Sequence, residues 1–161
     1  MPVLVCHLRR AIQDEEIVGW HRAQETRRGV SRVLVVDASV VVDLLARFRP
    51  QPIEDLLFAK GTVLVAPELL GIEVLSALRK LGRSGAIPES RASDLPLLLR
   101  ALRIRTYPLD ALLDGIWALR QNVTADDAAY LCLARVLDAT LVTRDARLAQ
   151  SPNLSVPILI P

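Results

Sequence analysis

With 161 residues, 52% of them hydrophobic and only 4% aromatic, the chain has room for one domain with a core of Leu, Val, Ile and Ala. A net charge of +2 is too small to advertise a polyanion-binding surface, although the cations are nearly all arginine, Lys60 and Lys80 being the only lysines. Guanidinium forks suit phosphate and carboxylate, but codon usage in a GC-rich genome is the plainer explanation. No apolar run approaches the roughly 20 residues of a membrane span, and residues 1–10 lack a signal-peptide core, so a cytoplasmic location is expected. Cys6 and Cys132 follow no metal or disulfide pattern. His7 and His21 both precede the first clear strand, which removes Ser-His-Asp, Cys-His and imidazole-zinc chemistry from the core. Carboxylates, hydroxyls and arginines remain.

In chain order, residues 1–31 differ in character from the rest of the chain. Residues 12–28 are dense in charge, with Ile17 and Trp20 as a narrow apolar stripe. This extension is expected to be a loosely attached segment, a helix that docks a partner, or non-native sequence, with Val30 as the start in the last case. The domain proper is expected over residues 32–161. It opens with RVLVVDASVVVDLL, an apolar β-branched run that stops at Asp37-Ala38-Ser39 and passes into a helix over residues 40–47. Such a run reads as a strand buried on both faces. Asp37 then sits at a strand end, where Asp37 or Ser39 could cap the helix. A turn at residues 49–52 leads to a short helix over 53–60, a strand over 62–66 and a 3.6-periodic helix over 68–81 starting at Pro67. Residues 89–102 are helical in composition, with Pro96 imposing two pieces or a kink. A strand over 104–107, a helix over 109–121, a helix over 124–137, a strand over 139–143, a helix over 144–150 and a strand over 156–160 complete the pattern. Strands alternating with helices imply an α/β fold with a mostly parallel sheet.

Several acids occupy places where they could meet. Asp37 and Asp145 each follow an apolar strand and precede a helix, so both would lie on one edge of a parallel sheet, the ligand edge of such folds. Thr143 and Ser39 add hydroxyls there. Glu73 lies on a helix among apolar neighbours, where burying a carboxylate costs several kcal/mol unless a metal or an arginine such as Arg79 compensates. Asp126 and Asp127 open the helix after Thr124. Thr124 and Asp127 resemble a capping box, and acids suit a helix N-terminus. Crowded carboxylates repel and call for a cation. An all-oxygen site selects Mg²⁺ or Mn²⁺, whose natural chemistry with a bound water is phosphodiester hydrolysis.

The strand-Asp-Ala-Ser opening, Pro67 followed by Ile72-Glu73-Val74 and Ala77-Leu78, Asp127-Ala128-Ala129-Tyr130-Leu131 with Leu133-Ala134, and Leu141-Val142-Thr143-Arg144-Asp145 resemble the PIN domain. More narrowly they resemble the VapC-type ribonuclease toxins of bacterial toxin–antitoxin pairs, from residue 32 to the C-terminus. The resemblance implies a three-layer α/β/α sandwich with a parallel five-stranded sheet of order 3-2-1-4-5. It implies Mg²⁺- or Mn²⁺-dependent endonucleolytic cleavage of single-stranded RNA, leaving 5′-phosphate and 3′-hydroxyl ends. Matched by motif, the metal-binding acids are Asp37, Glu73, Asp127 and Asp145. Asp126 is left as a neighbour or alternative ligand, and Ser39 and Thr143 as supports. Arg47, Arg49, Arg144 and Arg147 are candidates to hold the RNA backbone. A cognate antitoxin and a homodimer are the implied protein partners, with leucine-rich helices at 95–102 or 109–119 as surfaces. The competing readings are a PIN-like module that binds RNA or protein without cutting and, further off, a phosphatase or receiver-type phosphotransfer domain. Against the last two, Asp37-Ala38-Ser39 lacks a second Asp two positions on, and no Lys follows a late strand.

Overall fold

The structure, a computed structural model, describes residues 32–48, 50–150 and 156–161. The extension at residues 1–31 and Arg49 lie outside the described residues. Five strands form one parallel sheet: β1 (Arg32–Val36), β2 (Thr62–Pro67), β3 (Arg105–Tyr107), β4 (Thr140–Val142) and β5 (Ile158–Leu159). Their order is β3-β2-β1-β4-β5, as the resemblance implies. The helices are α1 (Ala38–Ala46), α2 (Pro50–Leu57), α3 (Leu70–Arg83), α4 (Glu89–Ala92), α5 (Leu95–Ala101), α6 (Leu113–Ala118), α7 (Ala125–Leu137) and α8 (Ala146–Gln150).

The central strand is buried because both neighbours are strands and both faces carry helices. Leu34, Val35 and Val36 are fully buried, with Val65 of β2 and Leu141 and Val142 of β4 beside them. Right-handed crossovers from β1 to β2 to β3 carry α1, α2, α3 and α5 to one face, where α1 packs on the other three. The crossover from β3 to β4 runs the opposite way, so α6 and α7 cover the other face, α7 lying against β1, β2 and β4. Residues 128–134 of α7 are buried all round, because that helix lies between the sheet and α6. The result is three layers around an aliphatic core.

That topology fixes the site. Chain direction reverses across the sheet between β1 and β4, and their carboxyl ends open a crevice at such a switch point. The β1–β4 ladder extends one residue past the strands, the Asp37 amide donating to the Val142 carbonyl at 3.0 Å. Asp37 and residues 143–145 therefore emerge side by side.

One open local reading is decided and two change. Residues 89–102 resolve into two helices, with Pro96 in the first turn of α5, where its missing N–H costs nothing. The helix expected over 109–121 starts as a 3₁₀ turn, Asp110–Leu112, and its α-helical part ends at Ala118. Arg47 sits at the far end of α1, in a left-handed conformation at φ 57°, about 13 Å of helix from Asp37. It is not beside the strand ends, as expected, because a nine-residue helix carries the chain away from that edge.

Candidate active site

Asp37 is both a cap and a site acid, because a carboxylate has two oxygens. Its Oδ1 accepts from the Ser39 amide at 2.9 Å and starts α1. Its Oδ2 accepts from the Thr143 hydroxyl. Thr143 is the buried polar side chain of the described core, and its oxygen also accepts from the Asp145 amide at 3.0 Å. Ser39 returns the link, its Oγ accepting from the Arg144 amide at 3.0 Å. The two hydroxyls thus stitch the β1–α1 turn to the β4–α8 turn. Burial pushes the Asp37 carboxyl above the usual carboxylate range against the pull of these hydrogen bonds, and the charge of Asp127 adds to the rise.

Glu73 enters from the first turn of α3, with Val74 and Leu78 anchoring that helix in the core. Its partner is Tyr130 of α7, whose hydroxyl donates to Oε2 at 2.5 Å. Among the described residues that partner is a phenol rather than an arginine such as Arg79. Burial raises the Glu73 pKa, the Tyr130 hydrogen bond opposes the rise, and the charges of Asp126, Asp37 and Asp127 reinforce it. Burial and the Glu73 carboxylate together push the Tyr130 phenol well up, so it stays a donor. Sequence alone reads Tyr130 as core, and its ring is core; a hydroxyl reaching Glu73 on another helix leaves no local signal.

Asp127 lies at the third position of α7. Thr124 accepts from its amide at 3.2 Å and donates to its Oδ2 at 2.7 Å, so the expected cap is present with hydroxyl and carboxylate in direct contact. Asp126 points to exposed surface yet is close enough to raise Glu73. The N-termini of α1, α3 and α7 all face this cluster, and their dipoles offset part of the carboxylate repulsion.

Asp145 is held differently. Its Oδ1 accepts from the Arg147 amide at 2.8 Å and from Nε at 3.2 Å, and its Oδ2 from the guanidinium at 2.9 Å. That fork holds its carboxyl below the usual range. Arg144, expected among RNA contacts, is otherwise engaged: its guanidinium pairs with Asp43 at 3.0 Å and donates to the Pro161 carbonyl.

Which residues could hold an ion follows from chemistry and placement. Asp37, Glu73 and Asp127 feel one another's charge, and Thr143 ties Asp145 to Asp37. The donors are all oxygen, the set that a hard divalent cation takes. Among the described residues no three acids are gathered into a ready-made cage, since Asp127 is turned to Thr124 and Asp145 to Arg147. The donor set fits Mg²⁺ or Mn²⁺, and these two side chains are the ones occupied elsewhere.

The PIN domain profile matches residues 34–153, three quarters of the chain and all of this site. The chain belongs to the PIN-domain family. This PIN domain is 41% identical over 125 residues to "Ribonuclease VapC1" of Mycobacterium tuberculosis, a match covering 77% of this chain and 94% of that one. It is 35% identical over 131 residues to "VapC ribonuclease Mb0985" of Mycobacterium bovis, covering 80% and 98%. Its fold is similar to that of VapBC2 from Rickettsia felis, solved bound to a DNA fragment from their promoter. That likeness has a TM-score of 0.57 at 17% identity and covers 80% of this chain and 98% of that one. At that identity the likeness is one of fold. No helix among the described residues is long and apolar enough to cross a membrane.

Proposed function

We propose that this PIN domain is a divalent-metal-dependent endoribonuclease that cuts single-stranded RNA as the toxin of a toxin–antitoxin pair. The observation that carries the reading is the charge coupling of Asp37, Glu73 and Asp127, with Asp145 tied to Asp37 through Thr143, at the switch point of the sheet in a chain 41% identical to a named VapC ribonuclease. Asp37, Glu73, Asp127 and Asp145 would hold the ion, with Asp126 close at hand. A bound Mg²⁺ or Mn²⁺ supplies Lewis acidity toward a phosphoryl oxygen and a water of lowered pKa. The chain's own residues do the rest. Thr143 and Ser39 keep the Asp37 and Asp145 turns in register, and Tyr130 holds the Glu73 carboxylate through its hydroxyl. Burial first, and the neighbouring acids after it, raise the Asp37 and Glu73 pKa values, and a bound cation would offset both.

A cognate antitoxin and a second copy are the proposed protein partners. Exposed apolar side chains on the helices nominated for such contacts, Leu97 and Leu98 on α5 and Leu113 and Trp117 on α6, support that part. The Asp145–Arg147 fork favours the second reading, a PIN module that binds without cutting. Incubating the purified protein with a single-stranded RNA and Mn²⁺ or Mg²⁺ separates the two. Cleavage that stops with EDTA and is lost in Asp37→Asn is expected. RNA that is bound but left whole would falsify the nuclease reading.

A further inference from the structure

A cavity of about 480 Å³ adjoins the acids, within the range of small-ligand pockets. Asp127 and Asp145 line it together with Thr124, Arg147 and Leu148. The rest of the lining is the segment joining α6 to α7, with Arg120, Gln121, Asn122 and Val123. That segment is a fixed turn: the Asn122 amide donates to the Leu119 carbonyl at 2.8 Å, and the Val123 amide to the same carbonyl at 3.2 Å. Next to the lining residue Arg120 stands Trp117, 70% exposed although its indole is the largest apolar side chain available. Arg120 lies over its ring, 5.0 Å from the centroid, and is anchored by a 2.9 Å bond to the Trp117 carbonyl. An exposed indole carrying a guanidinium plane is a surface on which a nucleobase stacks. The two carboxylates of the lining are matched by Arg120 and by Arg147, which forks Asp145, so the cavity carries no net charge and suits the uncharged base end of a nucleotide, with the Gln121 and Asn122 carboxamides to meet its hydrogen-bonding edge.

We propose that this cavity seats the base of a nucleotide flanking the scissile phosphate of single-stranded RNA, stacked on Arg120 and Trp117 and read by Gln121 and Asn122. The proposal rests on the ribonuclease reading and adds where sequence preference would come from. RNA is favoured over a protein side chain because Arg120 links Trp117 to the cavity, and the cavity shares Asp127 and Asp145 with the proposed cleavage site. A protein anchored on α6 would engage Trp117 and Leu113 and leave the cavity unused.

The full chain with Trp20→Phe leaves Trp117 as the sole tryptophan, and Asp37→Asn keeps RNA whole. Adding a mixed-sequence single-stranded RNA should quench Trp117 fluorescence. In the Asp37→Asn chain, Trp117→Ala should weaken binding of labelled RNA roughly 5- to 150-fold, the loss of one stacked base, and Trp117→Phe should restore most of it. In the cleaving chain, Gln121→Ala with Asn122→Ala should flatten base preference at one position beside the cut when ends from a randomised RNA are sequenced. Cleavage with no quenching, unchanged affinity and an unchanged cut profile overturns the pocket and leaves the nuclease reading standing. Quenching and Trp117-dependent binding without any cleavage overturns the nuclease reading and leaves the pocket standing. Absence of both binding and cleavage overturns the two together. A Trp117→Ala chain that keeps its RNA affinity but loses self-association in light scattering makes α6 a protein contact, which also overturns the pocket.

Discussion

Asp37 and Asp145 look alike in sequence and are opposite in physics. Each ends a strand of the same sheet and starts a helix, and both turns share one hydroxyl, that of Thr143. Asp37 is largely withdrawn from water and faces other acids, so its carboxyl binds a proton more readily than usual. Asp145 is half-buried and forked by an exposed arginine two residues on, so its carboxyl gives up a proton more readily. The pattern strand-Asp-helix therefore specifies a place and leaves the charge behaviour to whatever the other crossovers bring alongside. A buried, like-charged position suits a group that needs a cation, and a more open, paired one suits a group that can exchange partners.

The largest expected effect is on the buried side. Asp37→Asn should cut the rate of RNA cleavage on the order of 10³-fold, since a bound ion contributes several kcal/mol and each 1.4 kcal/mol is tenfold. The same variant should melt at a higher temperature than wild type in EDTA at neutral pH. Its sign comes from the raised pKa: the unfolded carboxyl ionises first, so stability is lost as pH rises from below about 4 through the folded value. Equal melting temperatures would break the contrast drawn for Asp37. Next in size, Thr143→Val should lower stability by about 1–3 kcal/mol in urea unfolding, because it strands the Asp145 amide and one Asp37 oxygen, while Thr143→Ser should stay close to wild type.

Tyr130→Phe should destabilise by about 0.5–1.5 kcal/mol. It also removes a bond that favours ionised Glu73, so the acidic limb of the pH–rate profile should move to higher pH. An unmoved limb would leave Tyr130 a packing residue only. The smallest effect belongs to the exposed corner. Arg147→Ala should raise the Asp145 pKa, read by NMR titration, with no measurable change in melting temperature at physiological salt. Asp145 runs opposite to Asp37, its contribution being present above the ordinary pKa and lost as pH falls through the lowered one. Because that fork occupies both Asp145 oxygens, the variant should also bind Mn²⁺ more tightly in titration calorimetry.

Legibility in the sequence tracks the range of the interaction. β1, α1 and α7 are readable because apolar periodicity and caps such as Thr124 act within a turn or two. The strand order comes from motifs matched in sequence order, as no local pattern carries it. The position of each acid at the sheet edge is legible, while its partner is not: Glu73 and Tyr130 are 57 residues apart, and the backbone link from Arg144 to Ser39 spans 105. Arg47 is misplaced when nearness in sequence is taken for nearness in space across a helix. Arg144 is misread because its acid, Asp43, belongs to a helix on the other side of the switch point. The Trp117–Arg120 pair does carry a local signal, an aromatic and an arginine three apart in a chain with few aromatics.

One consequence of the Thr143 hydroxyl concerns direction. The Asp145 amide gives its hydrogen to Thr143, and Thr143 gives its own to Asp37, so every dipole in that short relay points the same way. A protonated Asp37 would still accept the threonine's hydrogen, but more weakly than the anion. The wiring of the turn thus favours an anion at Asp37, although burial around it favours the neutral acid. The chain is built around a charge that its own interior disfavours, and the turn works as a standing request for a counter-ion.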